Sequence, residues 1–205
     1  ALALRRPFRD RGTGGVVRAL LLLPYVAPIV AVTFTWSTML NPQFGVVNHW
    51  GTRLLGWDEP VAFLSASPSA LLTVIAFEAW RSFPFAFLFL TARLQAVPAM
   101  YEEAALVDGA TLTQRFRHIV LPQLLPTIAV LVVLRFIWTF NSFDDIYLLT
   151  GGAAGTEVVS VSVFQSLTAR GDIGGAAAQA LALAAVLAVL IGLYLRKFAP
   201  REEQS

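Results

Sequence analysis

Of the chain's 205 residues, 57% are hydrophobic and 14% charged. An ordinary soluble domain has roughly 45–50% and 25%, so a soluble core does not account for the composition. With no cysteine and only two histidines, His49 and His118, the chain has no disulfide framework, thiolate metal site or cysteine nucleophile. The net charge of +2 and a pI near 9.4 would suit nucleic acid, but the basic residues sort along the chain as they do about a membrane, and nucleic acid is not an expected partner.

The N-terminal residues 1–6, with Arg5 and Arg6 closing them, read as the cytoplasmic end of a span that has been cut away, so a fragment is expected. An Arg-rich start before an apolar run imitates a signal peptide, but no small-x-small cleavage site follows before Trp36 and Met39. Charge-free runs cover 19–52, 60–77, 119–134 and 173–195. The last, as a helix, is about 35 Å long and crosses a hydrocarbon layer of roughly 30 Å. Four spans are predicted, near 16–40, 66–92, 120–142 and 173–195.

The first span carries Pro24 and Pro28, the second Pro84, and the third Pro122 and Pro126. Each removes a backbone donor and crowds the preceding turn, which predicts bent or locally unwound helices. Such bends either line a pathway or serve packing, and Pro122 alternatively starts a helix at its tolerant first turn. Glu78, Arg81 and Arg135 are charges inside spans, where each costs at least roughly 2.5–3.5 kcal/mol. Glu78 and Arg81 share a helix face and can pair, as a structural ion pair or as part of a solute path. Arg135 has no partner in its own span; it pairs with another helix or snorkels to the interface.

Between the second and third spans lies a polar island, 101–122. Residues 100–107 form a helical run, Gly109 permits a left-handed turn, and Thr111 caps a second short helix through Phe116 to Ile119. Glu102, Glu103, Asp108, Arg115 and Arg117 are then exposed, while Ala104, Ala105, Leu106 and Phe116 make a small apolar face. Such a helix pair seats in a groove of a soluble partner. A connector lying in lipid headgroups is the plainer alternative and is normally richer in Lys and Arg. At the far end of the third span, 134–152 interleaves aromatics with Asn141, Ser142 and Asp144. From the residues alone this is either an interfacial aromatic belt, with Trp138 its member, or a carbohydrate pathway in which rings stack on sugar faces.

Eleven of the fifteen Lys and Arg fall before the first span, in the 93–119 loop or after the last span: Arg5, Arg6, Arg9, Arg11, Arg18; Arg93, Arg115, Arg117; Arg196, Lys197, Arg201. The intervening loops hold only Arg53 and Arg170, beside six acidic residues. By the positive-inside rule, both ends of the chain and the island are cytoplasmic. His49 and His118 then lie on opposite sides, which excludes a metal site built from both.

Glu103-Ala104-Ala105, Asp108-Gly109-Ala110, Ile119, Leu121 and Pro122 resemble, in order and spacing, the signature loop of permeases of binding-protein-dependent ATP-binding-cassette importers. The stretches 23–28, 41–45 and 140–152 look like those of the maltose- and trehalose-type sugar permeases, although Ala153-Ala154 stands where that family usually has Gly-Pro. The resemblance implies a kinked, all-α bundle of the type I importer permease kind, one membrane domain over 1–205 with a coupling loop at 94–119, and one or two further spans before residue 1. It implies that Glu102, Glu103, Ala104, Asp108, Gly109, Arg115 and Pro122 face an ATPase subunit. Phe140, Asn141, Phe143 and Asp144, with Glu78, Arg81 and Arg135, are the pathway candidates. Implied partners are a second permease subunit, two cytoplasmic ATPase subunits that bind ATP and Mg, an extracytoplasmic solute-binding protein and membrane lipid, in a bacterial or archaeal inner membrane.

These 205 residues contain no Gly-x-x-x-x-Gly-Lys-Ser/Thr sequence, and the lone lysine is Lys197, so no P-loop ATPase site is expected in them, nor any cofactor. No nucleophile, base and orienter stand together, which leaves an enzyme little support. The remaining alternatives are an ion-coupled secondary transporter, with Glu78 the one intramembrane carboxylate available to it, and an importer for a non-sugar solute such as glycerol phosphate.

Overall fold

The computed structural model describes residues 13–198; the expectations placed on Ala1, Arg5, Arg6, Arg9, Arg11 and Arg201 lie outside them. Every regular element among the described residues is helical. The chain divides into two compact units, one of residues up to 36 with 72–136, the other of 37–71 with the residues from 137 on.

The expected first span is two helices, α1 (Thr13–Val26) and α2 (Ile29–Met39), bent by 91° at their junction. The break falls at Pro28, which lacks an N–H and pushes Ala27 out of the helical region. Pro24, also expected to disturb the helix, is carried inside α1. The span resumes with Val32 N–H donating to Pro28 O at 3.1 Å.

A turn then leads to α3 (Val46–Leu54). Asn41 Oδ1 accepts from Gln43 N and Phe44 N, and a side chain on Gly45 would collide with the carbonyls of Asn41 and Met39. Asn48, 3% exposed, bonds Val61 in both directions, accepting from its N–H at 2.7 Å and donating to its carbonyl at 3.0 Å. It also donates to the carbonyls of Leu40 and Asn41 at 3.3 Å. One buried amide thereby closes the loop around α3, and Trp57 lies over Gly51, where its ring leaves no room for a Cβ.

Helix α4 (Ser69–Gln95) is continuous through Pro84, whose side chain is fully buried; the expected interruption there is absent, and proline inside a membrane helix is tolerated where it packs against protein. After α5 (Ala99–Val107) and α6 (Leu112–Arg115), a π-helical turn over Phe116–Val120 runs straight into α7 (Leu121–Phe140). The separate second short helix expected after Thr111 is therefore the start of the third span, one apolar helical run from Leu112 to Phe140. The wide turn has a local cause: Pro122 neither donates to the carbonyl four residues back nor tolerates its approach, and Leu121 N–H bonds Phe116 O instead.

Helices α8 (Asp144–Thr150), α9 (Val159–Thr168) and α10 (Ile173–Phe198) follow, the last elements of the described residues. Among the described residues, three helices are long and apolar enough to cross a membrane, or four if the bent pair is one span. The chain itself covers little of them: 28%, 17% and 11% of the spanning windows of α4, the Leu112–Phe140 run and α10 are buried. Their apolar faces are left for lipid or other helices.

Candidate functional site

The island is a defined structure. Pro98, extended at φ −61°, ψ 130°, starts α5, and Glu102 in its first turn complements the helix N-terminus. Gly109, at φ +75°, ends it, and Ala110 N–H reaches back to Ala105 O at 2.9 Å, as a left-handed C-cap does. Two residues on, Thr111 opens the next helix with a reciprocal capping box. Its Oγ1 accepts from Gln114 N at 3.4 Å, while Gln114 Oε1 accepts from Thr111 N at 2.8 Å. The cap was legible at Thr111; Gln114, its partner three residues on, is the half that the sequence reading missed.

Glu103, Ala104, Asp108 and Pro122 are exposed, and Glu102 and Arg115 are half-buried. Besides the four residues assigned to an apolar face, the island exposes Met100 at 66%, Val107 at 88% and Leu112 at 78%. A groove of about 400 Å³ runs along the island, lined by Tyr101, Ala104, Ala105 and Asp108 on one side and His118, Ile119 and Pro122 on the other. His118 Nδ1 lies 3.0 Å from Gln114 O, which fixes the ring at this groove. The island is tied to its spans by Arg93 Nε, which donates to Gln123 O at 3.1 Å, and by buried Leu94, Val120 and Leu124 with Leu90 and Ile128 packed on them.

In the same unit, Arg135 Nη2 donates to Glu78 Oε2 in an ion pair between α7 and α4. Of the alternatives the sequence left open for Arg135, the other-helix partner is the one observed. Glu78 Oε1 is buried without a hydrogen-bond partner, and Arg81 stands about one helical turn further along α4.

In the other unit, Asn141 closes α7, its Nδ2 donating to Ile137 O at 3.0 Å. Phe143 stacks on Tyr147 with ring centroids 5.0 Å apart and planes 14° from parallel, and Phe164 packs against both. Asn141, Phe143, Ser160 and Phe164 line a groove of about 490 Å³ whose remaining wall is apolar and includes Ala180 and Leu183 of α10. The structure thus brings Asn141 and Phe143 to one groove. Asp144, exposed in the first turn of α8, is not part of its lining, whereas Asp145, which sequence reasoning passed over, is 6% exposed. Phe140 is half-buried near the end of α7.

Helices long and apolar enough to span a membrane, two of them joined through a capped polar island, are the pattern of a polytopic membrane component, and comparison with known proteins places it. The chain belongs to the family of binding-protein-dependent transport system inner membrane components, whose sequence pattern matches residues 1–204. It is 37% identical over 192 residues to the inner membrane ABC transporter permease protein YcjO of Escherichia coli K12, covering 93% of this chain and 64% of that protein. It is 38% identical over 198 residues to the trehalose/maltose transport system permease protein MalF of Thermococcus litoralis, covering 96% and 65%. To the sn-glycerol-3-phosphate permease protein UgpA of Agrobacterium fabrum it is 35% identical over 187 residues, 89% of this chain and 62% of that one. A chain of a bacterial alginate ABC transporter, solved in complex with its alginate pentasaccharide-bound periplasmic protein, superposes with a TM-score of 0.76 at 25% identity, over 97% of this chain and 71% of that one. The fold is that of the type I importer permeases, and the chain spans just under two thirds of the length of these three permease relatives.

Proposed function

We propose that the chain is the membrane-spanning permease subunit of an ATP-driven solute importer, with the island docked on a cytoplasmic ATPase. The observation that carries this is the island's construction: a short helix, a glycine hinge and a capped second helix that continues without a break into a membrane span. A force on the groove at Ala104, Ala105 and His118 is delivered to α7 through a hydrogen-bonded helix rather than a slack loop. Glu102, Glu103, Ala104, Asp108, Gly109, Arg115 and Pro122 are its working residues: Glu103, Ala104 and Asp108 are exposed to a partner, Gly109 and Pro122 hold the left-handed turn and the wide turn, and Glu102 and Arg115 stand half-buried beside them.

The solute proposed is a sugar, an oligosaccharide resembling a maltose- or trehalose-like glucoside. The groove at Asn141 and Phe143 supports this, since it offers the rings of Phe143 and Phe164 beside an amide and a hydroxyl, the chemistry that holds a sugar's apolar face and its hydroxyls. Relatives named for trehalose/maltose and the alginate neighbour favour it; the UgpA relative keeps glycerol phosphate as the second reading. Asp144 and Phe140 adjoin the groove in sequence.

Alternating access needs a second bundle, and the uncovered faces of α4, α7 and α10 leave room for one. The assembly proposed has a second permease subunit, two ATPase subunits holding ATP and Mg, and an extracytoplasmic binding protein. Both described ends and the island face the cytoplasm. Affinity purification in mild detergent tests it: an ATPase and a second permease should co-purify in stoichiometric amount, and recovery of this chain alone would contradict the assembly.

A further inference from the structure

The two spans that flank the island are fastened at two levels. Next to the island lie the Arg93–Gln123 bond and the Leu94, Val120 and Leu124 cluster. Glu78 is sixteen residues from Leu94 along α4, about 24 Å, and Arg135 is fifteen residues from Val120, about 23 Å. The near-equal rises bring the two charges level on antiparallel helices, and there they pair. Glu78 is 17% and Arg135 39% exposed at the side chain, so the pair is partly withdrawn from solvent in a region where isolated charges are expensive.

The two fastenings differ in kind. Apolar contacts are non-directional and oppose separation more than sliding. A charge-assisted hydrogen bond has a fixed geometry, and a slip of one residue moves a helix by about 1.5 Å, enough to break it. We propose that Glu78 and Arg135 are positioning residues that lock the axial register of α4 against α7, so that displacement of the island moves both spans as one body. This rests on the coupling role inferred above. It gives the pair a task distinct from solute contact.

The test uses the whole transporter complex in lipid vesicles, with Glu78→Gln, Arg135→Gln and the exchange Glu78→Arg/Arg135→Glu. Each single variant should lower ATP-driven uptake per assembled complex by about tenfold or more, within the range of coupling free energies. The solute concentration for half-maximal uptake should not change, and ATP hydrolysis should persist. The exchange should restore uptake to within about threefold. Uptake that falls only in proportion to assembled complex would make the pair merely structural, and a raised half-saturating concentration left uncorrected by the exchange would make it a solute contact; either overturns the proposal.

Because the chain has no cysteine, Glu78→Cys/Arg135→Cys treated with a short bifunctional thiol reagent in native membranes reads the juxtaposition separately. A link between the two sites is expected, and its absence overturns the register lock whatever the transport result. A parent complex without ATP-driven uptake would sink the coupling role and this proposal with it, while the link would still report the pair.

Discussion

At the scale of single residues, the structure assigns costs that composition hides. Ala154 sits at φ +54°, in the left-handed region where a Cβ is strained by roughly 1–2 kcal/mol. Ala154→Gly relieves that strain against the greater freedom of an unfolded glycine, and thermal unfolding in detergent should show a gain of about 0.5–1 kcal/mol. Asn48 is the opposite case. Replacing it by Ala leaves Val61 N–H and up to three carbonyls without their partner, and a loss of about 1–3 kcal/mol is expected in the same assay. An unchanged midpoint would show that the loop around α3 is held by packing alone. Neither residue was legible beforehand: an asparagine in an apolar run looks like any other, and only the meeting of residues 40, 41, 48 and 61 reveals the staple.

At the scale of elements, local signals were read well where the cause was local. Gly109 as a left-handed turn and Thr111 as cap follow from backbone permissiveness and a side-chain acceptor, and both are found. Prolines were harder to read, because the same ring bends the chain at Pro28, widens a turn before Pro122 and passes unnoticed at Pro84. The sequence shows the ring at each place but not what packs around it, which is tertiary information. Gly109→Val has open space for its side chain, so its effect is purely the backbone penalty of a β-branched residue at positive φ. It should leave the protein inserted while reducing ATP-driven uptake by about tenfold. Glu103→Lys, which reverses an exposed charge on α5, should do the same by weakening ATPase association. Parent-rate uptake with an unchanged complex in either variant would remove the island from coupling.

The site candidates at the far end of α7 divide in the same way. Asn141 and Phe143 reach one groove, but the period of the sequence could not tell Asp144 from Asp145, one exposed and one buried. Asn141→Ala removes the only amide side chain lining the groove. It should raise the half-saturating solute concentration about ten- to hundredfold, the equivalent of roughly 1–3 kcal/mol, with assembly and basal ATP hydrolysis nearly intact. Trp138 is exposed, and Trp138→Ala should instead lower membrane yield, as expected of a belt residue. If uptake curves for Asn141→Ala superpose on the parent, the groove is not on the solute path.

At the scale of the whole molecule, four charge-free runs foretold the spans because hydrocarbon thickness sets helix length. They could not foretell that the first is folded through 91° or that the third begins at Leu112 within the polar island. That continuity makes the central claim testable: a permease whose gate is moved by a nucleotide-driven partner works only when ATP is present. The most direct measurement is solute uptake into vesicles carrying the complete complex, with ATP trapped inside or with a proton or sodium gradient and no ATP. The account predicts accumulation with ATP alone, lost when Glu103 is changed to Lys. Accumulation driven by the gradient without ATP would contradict it and make the chain an ion-coupled transporter, with Glu78 the first carboxylate to examine.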